Sequence, residues 1–214
     1  IRTTETVEEY RKMKKAERDR AKDKGGFVGG YLRNNRRKVD TVECRSMLTL
    51  DADAAEVGFI DRFVSTFPYA ACVYSTHGHT PEAPRCRIIM PQKRDLTPDE
   101  YTAVARFVAA ELGIDQFDEC SYKPNQLMYW PTTPANGEYI CRVVEGEWLD
   151  PDVYLASHPN WQDCSLLPTS SRESTVRAAG EVGGTGCTDA EPAVCNIGIV
   201  GQLHRHGVLA GLAE

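Results

Sequence analysis

The clearest periodicity in the chain runs over PDEYTAVARFVAAEL, where apolar side chains recur every three or four positions and so share one face of an α-helix. Thr97 as N-cap, Pro98 in the first turn and Gly113 as a stop bound that helix at Pro98–Leu112. A shorter amphipathic stretch, Glu56 to Phe67, predicts a second helix ending before Pro68. Elsewhere the pattern is that of strands. VECRSMLTLDAD alternates at first and then becomes continuously apolar, as a buried central strand does. YAACVYST and CRIIMP predict two more strands, separated by the polar loop HGHTPEAPR. NQLMYWP and EYICRVV predict a strand pair joined by TTPANG, and FVGGYLR a short strand leading into the polar turn NNRRK. At the front, Thr6 to Lys24 predicts one charged helix, with Thr6 and Glu9 at capping-box spacing and Gly25-Gly26 as its end. Its few apolar positions (Val7, Tyr10, Met13, Ala16) place it on the surface.

This order of elements predicts an α/β or α+β domain with one mostly buried sheet over residues 1–160. From Ser170 to Ala193 the composition changes to Ser, Thr, Gly, Ala and Glu. Residues 161–197 therefore read as a linker or mobile tail, and 198–214 as the start of a following helical segment. On that reading, a cut after about Asn160 leaves stability unchanged. The first residue is Ile1 rather than Met, which reads as a fragment.

At 214 residues and 41% hydrophobic, the chain can bury one good core. No apolar run is long enough to cross a bilayer, and the N-terminus is charged rather than signal-like. None of the eight cysteines (Cys44, Cys72, Cys86, Cys120, Cys141, Cys164, Cys187 and Cys195) belongs to a C-x-x-C pair. That argues against a zinc ribbon or a disulfide framework, and for a reduced, cytoplasmic protein. Net charge is −6, which argues against a general polyanion binder. The charge is unevenly spread, however: residues 1–50 hold fourteen Lys and Arg against eight Asp and Glu. Such asymmetry suits a basic nucleic-acid face beside an acidic site, and a solvated charged helix accounts for much of the same surplus.

Three places carry candidate chemistry. In LTLDAD, Asp51 and Asp53 end an apolar strand and share one face by period-two alternation. Two carboxylates held this way suit Mg²⁺ or Mn²⁺, hard cations that keep positions open for phosphates; turn carboxylates at a strand end are the bland reading. YSTHGHTPEAPRCR crowds Ser75, Thr76, His77, His79, Arg85 and Arg87 between two predicted strands, a set of donors able to hold a triphosphate. In IDQFDECSYKPNQLMYWP, Asp115 or Asp118 can supply a third carboxylate. Tyr129 and Trp130 can stack on a base, although aromatics in a strand are more often core.

An acidic pair at a strand end, then Ser-x-His, then an apolar-Asp pair, in this order, resembles the archaeo-eukaryotic primase superfamily. KD-x-GGFVGG, LTLDAD, YSTHxHTPExPRxR, LGIDxFD, LMYWP and the distal GIVG are similar to the primase domain of phage and prophage primase–helicase proteins of the virulence-associated E type. The resemblance implies a primase-type domain with a twisted, partly antiparallel sheet flanked by helices. It implies template-directed nucleotidyl transfer with two Mg or Mn ions on Asp51, Asp53 and Asp118. Ser75 and His77 match its nucleotide-binding motif, with His79 or Arg87 as alternatives for the functional place. The implied partners are a single-stranded DNA template, an NTP or dNTP, and a helicase domain C-terminal to this chain, in the cytoplasm of a bacterial host. Gln126 stands where a basic residue is expected. Two other classes remain open: a rolling-circle or relaxase-type endonuclease using His77 and His79 with Tyr101 or Tyr122 as nucleophile, and a primase-like DNA-binding module without catalysis.

Overall fold

The computed structural model describes residues 1–178. Its strands are β1 (Gly26–Phe27), β2 (Gly30–Leu32), β3 (Val42–Ala52), β4 (Ala71–Ser75), β5 (Cys86–Leu96), β6 (Met128–Tyr129) and β7 (Cys141–Val144). Five form an open sheet in the order β2-β3-β5-β4-β7, antiparallel throughout, while β1 pairs with β6 in a small separate ladder. The helices are α1 (Val7–Lys12), α2 (Lys15–Lys22), α3 (Phe59–Thr66), α4 (Pro98–Leu112), α5 (Pro151–Ser157) and α6 (Ser171–Ala178). The domain is thus a mixture of helices and antiparallel sheet, as the pattern predicts. No described helix is long and apolar enough to cross a membrane.

Alternation along the strands divides the sheet into two faces. Leu48, Leu50 and Ala52 of β3, Ala71 and Val73 of β4, and Cys86, Ile88 and Met90 of β5 join α3, α4 and α5 in the main core. The α4 helix has its predicted bounds because Thr97 and Glu100 cap each other reciprocally and Gly113 leaves the helix at φ 93°. The opposite face carries a smaller cluster around Phe27, Cys72, Tyr74, Ile89 and Met128. Beyond that cluster the same face turns polar, and there the candidate residues gather.

Several elements depart from the sequence reading, among them β5, which runs past CRIIMP to Leu96. The N-terminal helix is two helices, because Met13 and Lys14 are extended and the Glu17 carboxylate accepts the Lys14 amide at 2.8 Å to start the second. FVGGYLR is split at Gly29, whose carbonyl turns aside to accept from the amides of Ser46 and Met47 and from Arg45 Nε. NQLMYWP and EYICRVV do not pair with each other. The first supplies β6 to β1, and the second supplies β7 to the open edge of β4.

The described part of the expected linker lies on the domain. Trp161 and Leu167 pack on the main core and Ser170 is buried. Arg106 of α4 makes a two-pronged ion pair with Glu173 of α6 at 2.6 and 3.0 Å. Residues 179–197 and the segment 198–214 with GIVG lie outside the described residues. Cutting after Asn160 removes this packing, so the truncated chain is expected to lose about 3 kcal/mol, from one buried Leu and the linked polar contacts. Its melting temperature should fall by roughly 6–12 °C. An unchanged melting curve would return residues 161–178 to the role of a passive linker.

Candidate active site

The register of the sheet builds the site. Asp51 of β3 lies directly across from Arg87 of β5, which lies across from Tyr74 of β4. This row faces away from the main core. Arg87 donates from Nε and Nη2 to Asp51 Oδ2, both at 3.0 Å, and from Nη1 to the Tyr129 carbonyl at 3.0 Å. Asp51 Oδ1 is buried and has no hydrogen-bond partner. Burial pushes the Asp51 carboxyl up to about 6, with Asp53 and Asp118 adding to the rise and Arg87 opposing it.

Asp118 reaches Asp51 along the edge of β3. Beyond its contact with β2 that edge is closed by the chain following α4, through the Asp118 amide on the Asp51 carbonyl at 2.8 Å. In addition, the Asp51 amide donates to Ser121 Oγ at 2.9 Å, and the buried Tyr101 hydroxyl donates to the Thr49 carbonyl at 3.1 Å. Asp115 points elsewhere, accepting from the Ser171 amide at 2.7 Å. Asp51, Asp53 and Asp118 line one cavity of about 440 Å³, a size suited to a small-molecule ligand.

His77 and His79 reach this cavity in different states. His77 Nδ1 bonds Thr132 Oγ1 at 2.9 Å, its Nε2 stands 2.9 Å from Glu5 Oε1 as a close ion-pair contact without hydrogen-bond geometry, and its ring lies 4.4 Å from that of Tyr10. Burial lowers its pKa against the pull of Glu5. His79 Nδ1 accepts the Arg85 amide at 3.1 Å, which leaves the ring proton on Nε2. That Nε2–H is buried without a hydrogen-bond partner, the Glu138 carboxylate standing 3.9 Å away. Ser75 does not line the cavity. It shares strand parity with Ala71 and Val73 of the main core, and its Oγ accepts the Ile140 amide at 2.9 Å. Thr76, one residue on, does line it.

Arg85 stands 3.6 Å from the exposed Asp53, and Arg87 is held by Asp51. Three further cations line the cavity from α1 and α2: Arg11, Arg18 and Lys22. Sequence reasoning did not name them, although the Lys and Arg surplus of the first fifty residues was their signal. Neither Arg11 nor Arg18 has a carboxylate within ion-pair distance among the described residues. The segment before α1 is tied down by Arg2, which donates to the carbonyls of Pro134, Ala135 and Gly137. Of the two aromatics expected to stack, Tyr129 lines the cavity, whereas Trp130 packs on Phe27 with ring centroids 5.1 Å apart. Gln126 also lines it.

The raised Asp51 pKa has a consequence for stability. A carboxyl that holds its proton more tightly when folded stabilises the protein below its unfolded value of 3.8, and that stability is lost as pH rises through about 6. In chelator, the wild-type protein should therefore lose on the order of a few kcal/mol relative to Asp51→Asn between about pH 4 and 6. Parallel stability curves for the two proteins would show that Asp51 ionises normally.

Fold and cavity together define a mixed α+β domain with a polar site on one face of an antiparallel sheet, where carboxylates and guanidinium groups alternate. The sequence profile of the VapE N-terminal domain family matches residues 1–170, and the chain belongs to that family. No curated protein matches the chain. Among solved structures it is similar to the AEP domain of the cyanophage S-2L primase-polymerase, at 15% identity over 67% of this chain and 76% of that one, with a TM-score of 0.42.

Proposed function

We propose that this domain is a metal-dependent nucleotidyltransferase, a DNA primase or primase-polymerase of phage or mobile-element replication, acting with a single-stranded DNA template and an NTP or dNTP. The observation that carries this reading is the buried, unpartnered Oδ1 of Asp51, beside Asp53 and Asp118 in a cavity otherwise rich in cations. A lone buried carboxylate oxygen is costly unless something satisfies it. Among the described residues no three His, Cys, Asp or Glu side chains stand as a preformed metal cluster. The three carboxylates nonetheless fit Mg²⁺ or Mn²⁺ by their hard-oxygen chemistry and by that orphaned atom. Asp51 and Asp53, with Asp118, would hold the ions, which when bound neutralise phosphoryl oxygens and lower the pKa of an attacking hydroxyl.

The remaining roles fall to the chain itself. Arg11, Arg18 and Arg85 are placed to neutralise a triphosphate, and the His79 Nε2–H to donate to one of its oxygens. Arg87 orients Asp51 through the two-pronged bond, and His77 ties the N-terminal helices to the site through Glu5 and Tyr10. Tyr129 offers a ring at the cavity wall for a base.

The relaxase reading is disfavoured by the tyrosines. Tyr101 is fully buried, with its hydroxyl bonded to the Thr49 and Ser121 carbonyls, and Tyr122 is buried as well. Incubation with labelled NTPs or dNTPs, a single-stranded template and Mn²⁺ tests the proposal. Extended product is expected. A covalent tyrosyl–DNA adduct, or bound but unextended DNA, would overturn it in favour of a relaxase or a binding module.

A further inference from the structure

A second cavity, of about 710 Å³, shares Asp118 with the first and is lined by Arg106, Tyr122, Lys123 and Glu173 among others. Arg106 is presented from α4 with its guanidinium carbon over the Tyr122 ring, 4.5 Å from the centroid. Its two terminal nitrogens grip the Glu173 carboxylate, and one also reaches the Pro168 carbonyl at 2.8 Å. Lys123 is exposed and has no carboxylate within ion-pair distance among the described residues. The Tyr122 hydroxyl is buried without a hydrogen-bond partner. A guanidinium held over a ring, an unpaired ammonium and an unused hydroxyl form a donor set of the kind that receives phosphate.

We infer that Arg106 and Lys123 form a subsite for the phosphodiester backbone of a single DNA strand, and that Glu173 occupies it in this structure as a built-in carboxylate competitor. The segment carrying Glu173 is tied on both sides of Asp118. Ser171 donates its amide to Asp115, Arg172 donates to the Phe117 carbonyl at 2.6 Å, and Ser170 Oγ donates to Glu119 at 3.0 Å. Docking of this segment and binding of a strand therefore exclude each other at Arg106. A strand is favoured over a free triphosphate because the first cavity already supplies cations for the latter. A strand passing Asp118 carries phosphates onward, whereas a mononucleotide ends there. The inference rests on the nucleotidyltransferase reading for the identity of the strand, but not for its measurement.

The test is titration of a fluorescent single-stranded oligonucleotide, without nucleotide or metal, into the full chain and two variants. Glu173→Gln, which removes the competing charge, is expected to tighten binding several-fold. Lys123→Ala is expected to weaken it roughly tenfold and to reduce the salt slope by about one. A parallel triphosphate titration should be unchanged in both. Oligonucleotide affinities equal to the parent's in both variants overturn the subsite. So does an effect confined to the triphosphate titration, which would make the cavity a free-nucleotide site. If Glu173→Gln loosens the fold, as thermal unfolding would show, Lys123→Ala decides alone, since this exposed side chain makes no ion pair among the described residues. Because these titrations need no incorporation, they read the subsite even if the extension assay fails.

Discussion

Asp51→Asn is expected to abolish nucleotide incorporation while leaving a folded protein. The amide keeps an oxygen for Arg87, which donates to Asp51 from two nitrogens and also holds the Tyr129 carbonyl, so the guanidinium is not stranded. What is lost is the negative charge beside Asp53 and Asp118. On the proposed function, a cation bound there would contribute several kcal/mol of charge stabilisation to phosphoryl transfer. At 1.36 kcal/mol per factor of ten, incorporation should fall roughly 10³-fold or more. Asp51→Ala is the poorer experiment, because it removes the partner of a buried guanidinium and mixes lost chemistry with lost stability. Single-turnover extension by the Asn variant, with circular dichroism to confirm folding, is the measurement. Incorporation within tenfold of the parent would move the metal site away from β3.

Gly30→Ala is expected to destabilise the fold more than most surface substitutions can. A Cβ built on Gly30 would stand 2.1 Å from the Cys44 carbonyl oxygen and 2.8 Å from Arg45 Cα, so β2 must lift from β3. Arg45 beneath it is fully buried, 3.9 Å from the Tyr101 ring centroid. It bonds the carbonyls of Gly29, Pro124 and Met47 and the Thr49 hydroxyl, with no carboxylate among them. Lifting β2 takes away the Gly29 carbonyl and leaves a buried guanidinium N–H unsatisfied. A loss of about 4 kcal/mol, or roughly 8–16 °C in melting temperature, follows. A melting temperature close to the parent's would show that β2 is not held to β3 as described.

How much of this was legible depends on whether the cause was local. The α4 bounds were readable because Thr97, Pro98, Glu100 and Gly113 are all local signals. β3 was readable because its apolar run is continuous; Asp53, expected on the strand face of Asp51, lies one residue past β3 in a turn and shares only the cavity with it. The partnership of Asp51 with Arg87 was not readable, since it is set by the register of β3 on β5. Ser75 was drawn in by its place in a Ser-x-His motif. Its parity with Ala71 and Val73, both apolar, was in the sequence and pointed to the core instead. The contributions of Arg11, Arg18 and Lys22 appeared only as a charge surplus, because which face of a solvated helix meets the sheet is decided by tertiary contacts such as Glu5 with His77. The same holds for residues 161–178: the sequence reading joins them to a linker whose composition change begins at Ser170, yet a few side chains, Trp161, Leu167 and Glu173, suffice to dock them.

The closure of the β3 edge by the chain after α4 has a further consequence, for what kinds of change this region can absorb. Asp118 is spaced from Asp51 by a main-chain bond rather than by packing of its own side chain, and the Ala54 amide on the Gln116 carbonyl clamps the same stretch two residues earlier. Such spacing does not depend on the half-exposed side chains of this stretch, whereas Gly113 needs its positive φ, Gln116, Phe117, Ser121 and Tyr122 are buried, and Asp118 carries the carboxylate itself. It does not survive the insertion or deletion of even a single residue, which would carry the third carboxylate about 3.5 Å along the edge. In a library of variants the half-exposed positions here should accept altered letters, while the whole stretch rejects altered length.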